Sequence, residues 1–138
     1  KIASLIGRDR RYAFGQNNYL PVDFAVNELT SSEVRYKQFR ELYLAEPDLQ
    51  LGGVTYGWLN ASFDFIATLV DRKVSIPLFI ASAEQDTVVD NAAQFALTHR
   101  QKKARLKSYP HARHELLFER DEIRHAVLTD FYKFCDSL

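Results

Sequence analysis

Two residues have types and positions that would let an acid and a base act together. Asp86 lies a few residues after the apolar run Pro77–Ser82, and His114 lies a few residues after a second short run that ends at Tyr109. If both runs are parallel strands, their carboxyl ends meet at one edge of the sheet and bring the two side chains close. A carboxylate that orients an imidazole, and an imidazole that takes a hydroxyl proton, are two of the three parts of a Ser-His-Asp triad. The pair therefore predicts Asp86 as triad acid and His114 as triad base.

Each member of the pair also has an ordinary structural interpretation. A carboxylate after a strand often caps the next helix, and Asp86 or Asp90 could do so here. A histidine in a loop is more often structural or solvated than catalytic. The other three histidines, for which we expect no catalytic role, are His99, His111 and His125.

The spacing His111-x-x-His114-Glu could also indicate metal ligands. Zinc motifs of this kind need a helix that puts both imidazoles on one face, whereas Pro110 introduces a loop. We therefore expect no metal at this motif, and nothing else in the sequence calls for a cofactor.

The elements that must position these residues follow from apolar periodicity. Helical spacing predicts helices over 32–45, 56–70, 89–101 and 121–135, and short apolar runs predict strands over 77–82 and 105–109. Thr30 or Ser31 is the expected N-cap of the first helix. Residues 1–29 mix aromatic side chains with turn formers and predict irregular structure. The strand, helix, strand, helix order of the second half is typical of a parallel α/β layer, so we predict the α/β class.

Two motifs together resemble a known family. They are Pro77-Leu-Phe-Ile-Ala-Ser-Ala-Glu-Gln-Asp86-Thr-Val-Val-Asp90 and Tyr109-Pro-His-Ala-Arg-His114-Glu, and they resemble the lysophospholipase and monoacylglycerol lipase branch of the α/β hydrolases. Upstream segments such as Arg11-Tyr-Ala-Phe-Gly15 and Gly52-Gly-Val-Thr-Tyr56 are most similar to its bacterial lysophospholipase L2 group. Ala83 is a departure, because the family usually has glycine there.

The resemblance implies the C-terminal portion of an α/β-hydrolase fold with a helical cap segment. Residues 1–72 would form the cap segment and the following helix, and residues 73–138 the C-terminal part of the core with the acid and histidine loops. Asp86 is implied as the triad acid and His114 as the triad base. The implied activity is hydrolysis of carboxylic esters in lysophospholipids or monoacylglycerols, with the lipid as substrate.

The nucleophile that this chemistry needs is missing. The family's G-x-S-x-G elbow and oxyanion-hole segment belong to an N-terminal half that this sequence does not contain, and without them no acyl-enzyme forms. Gly53-Val-Thr55-Tyr-Gly57 has the elbow's spacing, but no apolar strand precedes it. We therefore expect the chain alone to be inactive, and to pair with that N-terminal half or with itself because a divided parallel sheet leaves edges unpaired.

Composition narrows the class of partner and the compartment. Eighteen Lys and Arg balance eighteen Asp and Glu, so nucleic acid is not an expected partner. The single cysteine, Cys135, excludes an internal disulfide and fits a reducing compartment. No apolar run approaches the roughly 18 residues of a membrane span, and no signal peptide is recognised. We predict a cytoplasmic location or one peripheral to the inner membrane, where the basic stretch 101–107 could contact anionic lipid, although a solvated loop is the simpler interpretation.

Two alternative functions remain open from the sequence. The 138-residue chain could be a non-catalytic fragment or module that only binds a lipid or a partner. Other α/β hydrolases, including acyltransferases and peptidases, share the same acid and histidine loops. The chain begins at Lys1 and contains no methionine, so we expect it to be a processed or truncated form of a longer protein.

Overall fold

A computed structural model describes residues 7–69 and 72–138 of the chain. Its helices are α1 (Glu33–Ala45), α2 (Tyr56–Leu69), α3 (Asn91–Arg100) and α4 (Asp121–Asp136), and its strands are β1 (Leu78–Ala83) and β2 (Ala104–Tyr109). Single turns of 3₁₀ helix cover Phe24–Val26, Pro47–Leu49 and Leu116–Phe118. The predicted α/β class is confirmed, and every predicted helix and strand is present within two residues of its expected bounds, apart from Val70, which lies outside the described residues.

The two strands form a parallel pair that brings the acid and histidine loops to one edge. Leu78 lies opposite Ala104 and the register continues to Ala83 opposite Tyr109, while α3 packs against both strands as the crossover. Backbone pairing continues past the strands, because the N–H of Glu84 donates to the Tyr109 carbonyl at 3.1 Å. The two loops therefore leave the sheet side by side.

Helix α4 covers one face of this sheet. Ala83, Tyr109, Ala112 and Val127 form a buried apolar cluster between the strand ends and the helix. The Tyr109 hydroxyl donates to Asp130 Oδ2 on α4 at 3.2 Å, and its burial raises the pKa of that phenol. The carboxyl end of β2, from which the histidine loop departs, is thus held by packing and by a hydrogen bond.

The cap of α1 differs from the predicted one. The side chain of Ser32 accepts the Arg35 N–H at 3.4 Å, whereas Thr30 and Ser31 were the expected caps. The Thr30 hydroxyl instead donates to the Phe118 carbonyl at 2.7 Å, and the Ser31 hydroxyl donates to Glu119 at 2.5 Å. The prediction of these two caps is wrong because distant polar acceptors, absent from any local pattern, engage both hydroxyls.

The chain divides into two compact units. One comprises the described residues up to Pro21 and those of Leu42–Arg72, and the other comprises Val22–Glu41 with Lys73–Leu138. In the first unit the segments around Tyr12 and Thr55 form an antiparallel bridge. The second unit contains the sheet and the whole of the candidate site. The predicted division into functional domains at residue 72 stays a prediction. Within 7–69 and 72–138, no helix combines the length and apolarity needed to cross a bilayer.

Candidate active site

The acid loop turns sharply after β1 and orients the Asp86 carboxylate. Asp86 Oδ1 accepts the N–H groups of Val88 and Val89 at 2.9 and 3.1 Å, which is the local turn that aspartate favours. The cap of α3 is a different residue, since Asp90 Oδ1 accepts the Ala92 N–H at 2.8 Å. Helix capping therefore accounts for Asp90 but not for Asp86.

The histidine loop reverses direction directly after β2. His111 has a φ of 62°, in the left-handed region that non-glycine residues rarely adopt. The acid loop supports this turn from the side: Glu84 Oε2 accepts the His111 N–H at 3.2 Å, and the Ala112 carbonyl accepts the Gln85 N–H at 2.9 Å. These contacts fix the path of the chain as it approaches His114.

The two predicted residues meet in the structure. His114 Nδ1 lies 2.9 Å from Asp86 Oδ2 and 3.1 Å from Oδ1. The Asp86 side chain is only 4% exposed, whereas that of His114 is 27% exposed. The carboxylate is thus enclosed while the imidazole keeps access to solvent.

Electrostatics assign the proton between the two side chains. Burial alone would raise the pKa of Asp86, but hydrogen bonds from His114, Val89 and Val88 outweigh it and hold the pKa below its ordinary value. Asp86 is therefore ionised at neutral pH and can only accept, so His114 Nδ1 donates. This tautomer leaves His114 Nε2 with a lone pair, which is the arrangement a general base requires.

Residues far away in sequence support both loops, and the sequence analysis missed them. Glu28 Oε1 accepts the Thr87 hydroxyl at 2.9 Å, next to Asp86, and the Glu28 carbonyl accepts the His114 N–H at 3.4 Å. The Leu29 carbonyl accepts the Glu115 N–H at 2.8 Å. No periodicity or motif in this irregular segment signals such contacts.

Two other sequence candidates have different roles. Thr55 Oγ1 accepts the Trp58 N–H at 3.2 Å, so the threonine of the elbow-like Gly53–Gly57 segment caps the start of α2. His111 and His114 occupy a loop, and in the part of the chain that the structure describes no cluster of three or more His, Cys, Asp or Glu side chains could hold a metal ion.

Acid should destabilise the fold through its buried carboxylates. Asp86 and Glu119 have folded pKa values below the ordinary values of about 4, despite burial, because hydrogen-bond donors surround them. Their contribution to the free energy of unfolding is therefore complete above about pH 4 and lost as the pH falls through the folded values. Urea unfolding midpoints measured between pH 7 and pH 2 should decline in that window. The Glu119→Gln variant should show a shallower decline, and an unchanged decline would contradict this assignment.

Comparison with known proteins follows the same lines. A family model described as serine aminopeptidase, S33, matches residues 11–121. The chain is 33% identical to the probable lysophospholipase L2 of Haemophilus influenzae, covering 96% of this chain and 43% of that protein. It is 32% identical to the lysophospholipase L2 of Escherichia coli, covering 88% of this chain and 39% of that protein.

The fold has a solved counterpart. A soluble variant of monoglyceride lipase from Saccharomyces cerevisiae, in complex with a substrate analog, superimposes with a TM-score of 0.68 at 19% identity. The match covers 99% of this chain and 47% of the yeast chain, and at that identity it shows the fold alone. The chain spans less than half the length of each of these relatives.

Proposed function

The chain belongs to the serine aminopeptidase S33 family of α/β hydrolases and is lysophospholipase-like, and on that premise we propose that it supplies the acid and base of a lipid-ester hydrolase. The observation that supports this most directly is the 2.9 Å contact between His114 Nδ1 and the enclosed Asp86 carboxylate. The names of the curated relatives favour lysophospholipids or monoacylglycerols as substrates.

In this mechanism His114 Nε2 removes the proton from a serine hydroxyl as the hydroxyl attacks the ester carbonyl. Asp86 stabilises the imidazolium that forms, and His114 then donates the proton to the departing glycerol oxygen. The acyl-serine is released by water, with His114 again acting as the base. Asp86 holds the imidazole in one tautomer throughout.

The serine comes from outside these 138 residues in this proposal. The described sheet has only two strands, so each has an outer edge without a strand partner. Helix α2 exposes several large apolar side chains, including Trp58, Phe63, Phe65 and Ile66, each more than half exposed. Such surface is typical of a face that another segment covers. We propose that the N-terminal half of the same enzyme, which contains the serine, or a second copy of the chain covers it.

A chimera tests the proposed function. This chain would replace its matching region in the probable lysophospholipase L2 of H. influenzae, so that the remainder supplies the nucleophile. The chimera should react with a serine-directed fluorophosphonate and release fatty acid from lysophosphatidylcholine, whereas the 138-residue chain alone should not be labelled. Labelling of the isolated chain would contradict the proposal, as would a labelled chimera that hydrolyses no lipid ester.

The family description favours peptide hydrolysis as a second candidate, since it names an aminopeptidase. The same chimera assayed with an aminoacyl-naphthylamide separates the two activities. Naphthylamine release without fatty-acid release would support the peptidase. Binding of lipid or partner without either reaction would support the non-catalytic alternative.

A further inference from the structure

A buried carboxylate lies beside the histidine loop and has no part in the proposed chemistry. Glu119, at the start of α4, is 0% exposed. Its Oε1 accepts the N–H groups of Arg113 and Ser31 at 2.8 and 2.9 Å. Its Oε2 accepts the Ser31 hydroxyl at 2.5 Å and the Arg120 N–H at 3.2 Å. Four donors thus converge on one side chain.

This arrangement explains how a charge can be buried there. A carboxylate removed from water is unfavourable unless donors replace its hydration, and hydrogen bonds to an ionised acceptor are stronger than those to a neutral one. Burial alone would raise the pKa of Glu119, but the bonds from Ser31, Arg113 and Arg120 outweigh it and lower the pKa. Glu119 therefore remains ionised and accepts all four bonds at neutral pH.

We infer that Glu119 is a positioning residue for His114 and acts through the adjoining peptide of Arg113. The Arg113 N–H is fixed by Glu119, and its guanidinium donates to the Asn27 carbonyl at 2.8 Å. The next N–H, that of His114, donates to the Glu28 carbonyl. Through Ser31, the same carboxylate also holds the segment that supplies these carbonyls. The backbone before His114 is thereby tied on two sides.

The consequence concerns where the imidazole sits. The hydrogen bond between His114 Nδ1 and Asp86 tolerates little displacement, because hydrogen bonds weaken steeply with distance and angle. Loosening the Arg113 peptide moves the base relative to its acid without removing either. The geometric part of this inference stands without the proposed function, and only its effect on catalysis rests on it.

The test reads the tautomer of His114 directly. Nitrogen-15 spectra of histidine-labelled chain, at a pH where imidazole is neutral, should show His114 as a single Nδ1–H tautomer. Glu119→Gln removes the charge and one acceptor, so a mixture of tautomers is expected in the folded variant. Glu122→Gln is the matched control, an exposed residue in the same helical turn, and should retain the single tautomer. The His114→Ala variant assigns the signal.

Two outcomes overturn the inference. One is a folded Glu119→Gln variant, checked by circular dichroism, whose His114 ring shifts equal those of the wild type. If that variant unfolds, Ser31→Ala decides, because it removes one of the four hydrogen bonds and leaves the carboxylate in place. A smaller shift towards the mixed tautomer is expected there, and wild-type ring shifts in folded Ser31→Ala would contradict positioning.

A kinetic measurement separates positioning from simple stability. In the chimera, Glu119→Gln should lower kcat roughly 10- to 100-fold, the effect of a small displacement of a catalytic group, with KM nearly unchanged. An unchanged kcat in the folded variant would overturn the inference. If the unsubstituted chimera is inactive, the proposed function fails, while the spectra still decide the role of Glu119.

Discussion

Replacing His114 with alanine in the serine-containing chimera should reduce turnover of lysophosphatidylcholine by about 10⁶-fold. The imidazole is the only group in contact with Asp86 that can take and return the hydroxyl proton, and its 27% exposed side chain leaves Nε2 accessible. Without it the serine remains a neutral alcohol and acyl transfer loses its general base. The measurement is the initial rate of fatty-acid release at saturating substrate.

A second histidine provides the matched control. His125 lies exposed on α4, and His125→Ala should leave the rate within a few-fold of the unsubstituted chimera. The fluorophosphonate should also label His114→Ala far more slowly, because the reagent reports the activated serine. Rapid hydrolysis by His114→Ala would exclude this histidine as the base and redirect attention to another residue.

The sequence was sufficient for the part of the site that depends on local structure. Apolar runs ending shortly before Asp86 and His114 predicted two strands whose carboxyl ends lie together, and the parallel register of β1 and β2 has that arrangement. The helix and strand bounds followed because each element has its own period. The contact between the two side chains then required only that both loops be short.

The supporting contacts could not be found in the same way. Glu119 binds Ser31 across 88 positions, and Arg113 binds the Asn27 carbonyl across 86. Neither polar residue belongs to a periodic pattern, and the hydrogen bonds run to backbone groups that every residue possesses. The wrong cap prediction has the same origin, since Thr30 and Ser31 resemble caps locally but are engaged by residues near the start of α4.

This division between local and distant determinants also distinguishes the two aspartates after β1. Asp86 and Asp90 lie four residues apart, and each accepts backbone N–H groups in its own loop. From sequence either could cap α3. Only the histidine, 28 positions further on, separates them, because its ring nitrogen reaches Asp86. The role of an acidic residue here is defined by its distant partner.

Asp86→Asn should therefore lower kcat by about 10⁴-fold with little change in KM. The substituted amide can keep its oxygen on the Val88 and Val89 N–H groups, so the loop should stay in place. Its nitrogen would then face His114 Nδ1, and two donors cannot share that contact. The imidazole must adopt the Nε2–H tautomer, which leaves no lone pair for the serine proton.

Asp90→Asn is the matched control, because asparagine also caps helices well and the residue does not touch His114. It should retain nearly the full rate and the same urea midpoint. The comparison separates tautomer control from loop stability: a folded Asp86→Asn variant with a wild-type kcat would show that the carboxylate has no role in catalysis. A loss of rate equal in both variants would instead assign the effect to the loop, since only Asp86 contacts the imidazole.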